Sequence, residues 1–301
     1  VSSRLKSFYK IYRVDAVEWI SNQRANSIEA VVTDPPFGLL EYTDREIANR
    51  SNGNGIWRLP NSRDGAVRQP TPRFTILTLQ DRSKLRGFVL ETAADLFRIV
   101  VPGAHVFWAS HPLFSHIVSE AFIEVGFEKR GEVIRTTATL RGGDRPKGAH
   151  EKYSDVCVLP KACWEPWVIF RKPLKGRIQD NLRRYGTGGL RMLPGGKPFR
   201  DLINSRSATK AERQIAPHPS LKPQFFMRQL VRASLPLGRG TILDPFMGSG
   251  ATIAAATSLE LHSVGLERSK VYFAMAKKAI PFLARLPTDL DSPKEAELAG
   301  R

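Results

Sequence analysis

Short apolar runs alternate with longer amphipathic stretches over most of the chain. Residues 8–14 alternate apolar and polar side chains, the period of a half-buried strand, and Asp15 closes the run. A short helix is expected over 16–23. Ile28–Thr33 is a brief β-branched run that stops at Asp34-Pro35-Pro36-Phe37, because proline brings no N–H to a sheet ladder. Helical spacing covers 85–101 and ends at Pro102-Gly103. A strand at 104–109, a helix at 111–125 and a strand at 127–135 follow. The rhythm breaks over 139–153 and resumes as a strand at Trp164–Phe170. The last third predicts a helix at 221–235, a strand at 240–243, a helix at 251–259, a strand at 262–266 and a helix at 270–283. A polar tail runs from 287.

Strands in alternation with helices predict an α/β fold, a doubly wound and mostly parallel Rossmann-like sheet. Two stretches interrupt it. Residues 38–84 are rich in Gly, Asn, Arg and Pro and are too long for an ordinary connector. Residues 172–217 are polar, basic and Gly-rich. In such sheets ligands bind outside the carboxyl ends of the strands, so strand-terminal residues are the ones to read. Four strands end at a carboxylate: Asp15, Asp34, Asp244 and Glu267. Each alone could be a helix cap or a turn residue. Four on one rim read as a site.

With 301 residues, 42% of them hydrophobic, the chain can fill one large α/β domain plus a smaller basic region. No apolar run is long enough for a transmembrane helix, and the first ten residues lack the apolar core of a signal peptide. A soluble intracellular protein is expected. Cys157 and Cys163 are expected as reduced, partly buried thiols, and no Cys/His cluster has zinc spacing, so no metal is expected. Lys and Arg number 46 against 29 Asp and Glu, a formal charge of +17. That field attracts polyanions, nucleic acid foremost. It names a partner class and no reaction.

Chemistry enters with the turn Asp244-Pro245-Phe246-Met247-Gly248-Ser249-Gly250. A strand runs into it and a helix leaves it, and Gly248 and Gly250 would let backbone approach a ligand. A phosphate loop would continue Gly-Lys-Ser/Thr, whereas Ala251 stands here, which argues against a nucleoside triphosphate. Glu267 follows one strand later, where a carboxylate can accept from ribose hydroxyls. The pair suits an adenosine-containing cofactor.

Taken in order, Asp34-Pro35-Pro36-Phe37 and the turn at 244–250 resemble the DNA amino-methyltransferases of the beta class, with the acceptor motif first and the cofactor motif near the C-terminus. His218–Pro223 and Trp164–Phe170 are similar to further elements of that family. The resemblance implies S-adenosylmethionine as cofactor and double-stranded DNA as substrate. It assigns Asp34 and the Pro35 carbonyl to the target amine, Pro36 to stiffening the turn, and Phe37 to stacking on a flipped base. Pro245, Phe246, Gly248, Ser249 and Gly250 would shape the pocket for the cofactor's amino acid part, with Asp244 at its ammonium. Glu267 would hold the ribose, Asp15 the adenine edge and Lys222 the carboxylate.

Adenine N6 is the expected target, since Asp at position 34 leans that way in this family; cytosine N4 is the alternative. An inactive DNA-binding module on the same scaffold is a second one. Carbon-5 methylation needs a cysteine after proline, which neither thiol provides. Domains are expected at 1–140 (catalytic half), 141–215 (target recognition and DNA contact, including one late sheet strand), 216–286 (cofactor-binding half) and 287–301 (tail). Arg141, Arg145, Lys147, Arg183, Arg184 and Arg191 are the expected DNA contacts, with Arg58 and Arg135 as further candidates. The resemblance also implies a restriction–modification setting, a prokaryotic or phage-type protein of the cytoplasm associated with the nucleoid, no membrane partner, and room for a homodimer.

Overall fold

The computed structural model describes residues 8–36, 78–137, 146, 148–149, 151–218 and 220–288. Phe37, Arg58, Arg141, Arg145 and Lys147 lie outside the described residues. In chain order the elements are β1 (Tyr9–Tyr12), α1 (Ala16–Ser21), β2 (Ile28–Thr33), α2 (Leu79–Ile99), β3 (Val100–Ala109), α3 (Ser115–Val125), β4 (Glu128–Thr136) and β5 (Trp164–Arg171). They continue as α4 (Ile178–Tyr185), β6 (Leu202–Asn204), α5 (Lys210–Ile215), α6 (Gln224–Ser234), β7 (Thr241–Asp244), α7 (Ala251–Ser258), β8 (His262–Leu266) and α8 (Lys270–Leu283).

Eight strands form one sheet in the order β1-β8-β7-β2-β3-β5-β4-β6. From β1 to β3 every pairing is parallel; β5 is antiparallel to both neighbours, and β6 pairs parallel with β4. Successive side chains on a strand point to opposite faces, and the sequence fills both. Ala30, Val32 and Phe107 pack with α6, α7 and α8, while Val31, Val106 and Trp108 pack with α1, α2 and α3. Burial on both faces explains why the central strands are near-continuous apolar runs. From β7 the chain winds through α7 to β8; from β2 it winds through α2 to β3, in the opposite direction and on the other face. The crevice between the ends of β7 and β2 is therefore the topological switch point, where such sheets bind ligands.

Two departures from the sequence expectation have local causes. The helix predicted from 85 starts at Leu79, because Thr78 and Asp81 form a reciprocal capping box: the Asp81 N–H donates to Thr78 Oγ1 at 3.2 Å and the Thr78 N–H to Asp81 Oδ2 at 3.0 Å. Pro102-Gly103, read as a stop, lies inside β3, where the register against β2 slips between Ile28 and Ala30. Gly103, at φ 77°, touches Gly188 so closely that a side-chain carbon would lie 3.0 Å from its Cα. The stretch at 172–217 holds α4, β6 and α5 and so is not purely irregular. The 141–215 region thus contributes two strands to the sheet, β5 and β6. Cys157 and Cys163 are exposed, not partly buried. Among the described residues no helix is long and apolar enough to cross a membrane, and no His/Cys/Asp/Glu cluster could hold a metal.

Candidate functional site

Because β2 and β7 are neighbours, with Ala30 opposite Ile242 and Val31 opposite Leu243, their ends bring Asp34 and Asp244 to one rim. The Thr33 hydroxyl, at the end of β2, donates to Asp244 Oδ1 at 2.7 Å and ties the two turns together. A cavity of about 710 Å³ opens there, within the usual range for small-molecule sites. Asp15, Asp34, Asp244 and Glu267 all line it, with Pro36, Pro245, Phe246, Gly248, Ser249 and Lys222. Phe88, His218 and Tyr272 complete its wall. Four carboxylates predicted on one rim are on one rim.

Asp15 is also the N-cap of α1, accepting from the Val17 N–H at 3.0 Å, so capping and lining are both its roles. Asp244 is buried and accepts from Thr33 and from the Phe246 N–H at 3.1 Å. Burial pushes its carboxyl up to about 6, against the opposing effect of the Thr252 and Thr33 hydroxyls and the Phe246 N–H; the Asp34 charge adds to the rise. Glu267 spans the turn, taking the Gly248 N–H at 3.1 Å on one oxygen and the Ser269 N–H at 2.6 Å on the other. Partial burial raises its carboxyl too, opposed by those N–H donors. Each of its oxygens keeps a further lone pair for a ligand hydroxyl.

The two glycines of the turn differ. Gly248 lines the cavity, and a side chain there would lie 3.1 Å from His218 Nε2. Gly250 does not line it; at φ 84° it faces α8, and a side-chain carbon would stand 2.5 Å from Ile280 Cγ1. Its place is helix packing, not ligand approach. Burial lowers the His218 imidazole to about 4, with the Lys222 ammonium adding to the fall, so it is neutral near pH 7.

Asp34 has one oxygen held and one open. Lys222 Nζ donates to Oδ2 at 2.6 Å, across 188 residues of sequence, whereas Oδ1 is buried with no hydrogen-bond partner. A buried acceptor left without a donor costs free energy until something donates to it. Burial raises the carboxyl above its ordinary value; the nearby Lys222 opposes this and Glu165 adds to it. Lys222 is thus engaged with the acceptor motif and not set out toward a cofactor carboxylate, as the resemblance had implied. Its ammonium is also 3.8 Å from Glu165 Oε2.

Of the basic residues that lie among the described ones, Arg183, Arg184 and Arg191 sit at the edge of the sheet opposite the cavity rim. Thr136 and Trp164 end and begin strands on the cavity rim, so the chain between them leaves and rejoins the sheet there. Arg183 and Arg184 sit on α4, which docks at the opposite edge: Thr187 Oγ1 donates to the Pro102 carbonyl at 2.6 Å and the Gly188 N–H to Gly103 at 2.9 Å. Arg191 packs on Gly238, ahead of β7, on the same far edge. Ten residues of β3 separate the edges by roughly 30 Å, so these three arginines are not brought to the site. Arg135 is 5% exposed and turned inward, which removes it from DNA contact. Sequence reasoning missed Glu165 and the individual role of His218. Neither sits in a local pattern that distinguishes it from a strand-end acid or a loop histidine.

The DNA methylase family model for N6/N4 methyltransferases matches residues 28–278. The type II methyltransferase M.HindIII of Haemophilus influenzae is 22% identical over 300 residues, covering 88% of this chain and 93% of that protein. Among solved structures, the M1.HpyAVI–SAM complex superposes with a TM-score of 0.56 at 21% identity, covering 90% of this chain and 98% of that one. The cytosine-N4-specific PvuII DNA methyltransferase does so at 0.59 and 15% identity, covering 100% and 96%. The fold of these structures is the fold found here, and with the family model spanning both turns of the cavity, this chain belongs to the N6/N4 DNA methylase family.

Proposed function

We propose that this protein is a site-specific DNA methyltransferase that moves a methyl group from S-adenosylmethionine to the exocyclic N6 of an adenine turned out of the duplex. The observation that carries the reading is the orphaned Asp34 Oδ1, a buried acceptor on a residue that lines one cavity with Asp244, Gly248 and Glu267.

The residues present fit the cofactor. Asp244 offers a buried carboxylate to its ammonium, and Glu267 keeps lone pairs for ribose hydroxyls. Asp15 meets the adenine edge, and Pro245, Phe246, Gly248 and Ser249 enclose the amino acid part. When bound, S-adenosylmethionine supplies an electrophilic sulfonium methyl. The amine it meets is a poor nucleophile, because its lone pair is delocalised into the ring. Asp34 Oδ1 and the Pro35 carbonyl each accept one N–H, orienting the nitrogen and stabilising the positive charge that grows on it. Lys222 holds the other Asp34 oxygen, so the acceptor is set before the base arrives.

The duplex lies across the cavity rim in this reading. The basic segment between Thr136 and Trp164, which contains Arg141, Arg145 and Lys147, supports that placement because both its ends are on the rim. The test is incubation with duplex DNA and S-adenosylmethionine, digestion to nucleosides and mass spectrometry. N6-methyladenine is expected, absent with Asp34→Ala protein that still binds the cofactor by calorimetry. N4-methylcytosine would replace the adenine assignment. DNA binding with neither product nor cofactor binding would reduce the protein to a binding module.

A further inference from the structure

Behind the acceptor motif lie two charged groups, Glu165 and Arg135, to which the methyl transfer above gives no role. Glu165, at the start of β5, takes two donors on Oε1: Arg135 Nη1 at 3.1 Å and the Trp167 indole at 3.0 Å. Every guanidinium nitrogen of Arg135 is committed. Nε donates to Ser205 Oγ at 3.2 Å, Nη1 to Glu165 and Nη2 to the Arg206 carbonyl at 3.0 Å, with the Phe226 ring 5.3 Å from its carbon. Glu165 cannot swing away while that clamp holds. Its second oxygen, Oε2, faces the Lys222 ammonium at 3.8 Å, the same ammonium that is 2.6 Å from Asp34.

The four groups come from β4, β5, the end of β2 and the segment before α6, and together they are neutral: two carboxylates, one ammonium, one guanidinium. The Lys222–Asp34 and Arg135–Glu165 pairs are each neutral alone, so charge balance does not explain why Glu165 Oε2 also faces Lys222. Its effect is positional. A lysine chain is a flexible stem carrying a compact charge. Between two fixed carboxylates the ammonium is restrained to the line joining them and stays off the unpaired side of Asp34.

Resting on the methyltransferase reading above, we propose that Glu165, clamped by Arg135 and Trp167, is a positioning residue for methyl transfer. It shares Lys222 with Asp34, so that one Asp34 oxygen is held and the other stays open to the target amine. The remaining charged or titratable groups near this set are Asp244 on β7 and His218 beside Lys222. Neither touches Glu165 among the described residues.

Two variants test it in opposite directions. Glu165→Gln keeps an acceptor for Arg135 and Trp167 but removes the charge facing Lys222. Arg135→Gln frees Glu165 to draw Lys222 away from Asp34. Carboxyl-carbon NMR of the cofactor-free full chain reads the ionisation of Asp34 without any turnover. Glu165 disfavours the ionised form of Asp34 and Arg135 favours it. Titration of Asp34 should therefore move to lower pH in Glu165→Gln and to higher pH in Arg135→Gln. In methylation assays kcat should fall by about 100-fold in Glu165→Gln, the cost of misplacing a reacting group by about 1 Å. Its KM for S-adenosylmethionine should stay within about twofold. An unmoved Asp34 titration or an unchanged kcat in Glu165→Gln overturns the proposal, and that variant suffices if Arg135→Gln does not fold. Wild-type protein with no methyl transfer would reject the functional reading, while the NMR titration would still decide the coupling.

Discussion

Asp244→Asn should make the ligand-free protein more stable while weakening its grip on the cofactor. Burial holds the Asp244 carboxyl near 6 instead of its ordinary 3.8, so the native state binds this proton more tightly than the unfolded chain. The stabilisation that the proton provides is complete below pH 4 and is lost as pH rises through 6. Above that, keeping the charge buried costs the native state roughly 3 kcal/mol. The asparagine carbonyl still accepts from the Thr33 hydroxyl and the Phe246 N–H, and its amide can donate to the Thr252 hydroxyl, so little packing changes. Urea unfolding at pH 8 should place the variant about 2–3 kcal/mol above wild type, with the gap closing toward pH 4. S-adenosylmethionine should stabilise wild type at pH 8 far more than the variant, because the buried charge meets the ligand's ammonium only in wild type. A variant no more stable at pH 8, or a gap independent of pH, would refute the reasoning.

Other outcomes follow from the same geometry. Asp34 must be ionised to accept the amine protons and its carboxyl is raised by burial, so kcat/KM should fall on acidification along a limb lying above the ordinary carboxylate value; pH–rate profiles on duplex DNA check this. Gly250→Ala forces a side chain into the left-handed region and against Ile280, and should lower stability by about 3 kcal/mol in denaturant titrations. Replacing Arg183 and Arg184 together with serine should leave kcat/KM on a short duplex within about twofold, since both lie at the far edge of the sheet. A large loss there would mean that the duplex reaches well beyond the rim.

Much of this protein was readable along the chain, and the readable part has a common physical basis. The strands β2, β5, β7 and β8 announce themselves as apolar or β-branched runs stopped by proline, charge or glycine, signals that act within a few residues. The acceptor turn at 34–36 and the turn at 244–250 are local for the same reason. The strand-end rule for α/β sheets then places Asp15, Asp34, Asp244 and Glu267 on one rim, where they are found. Where the expectation slipped, a local signal was overridden or overlooked. Pro102-Gly103 continues as strand because the sheet absorbs a register slip there, and the Thr78–Asp81 capping box starts α2 early.

What the sequence by itself determined, then, is the winding of the sheet and the acids and turns at its strand ends. Only the tertiary structure decided what each acid meets. Lys222 reaches Asp34 across 188 residues, and Glu165 joins them because β5, antiparallel to both its neighbours, brings its first residues to the same rim. The same reversal returns the chain to the cavity rim at Trp164, while Arg183, Arg184 and Arg191 end at the opposite edge. Strand order and direction come from burying two apolar faces at once, a property of the whole sheet that no window of neighbouring residues contains.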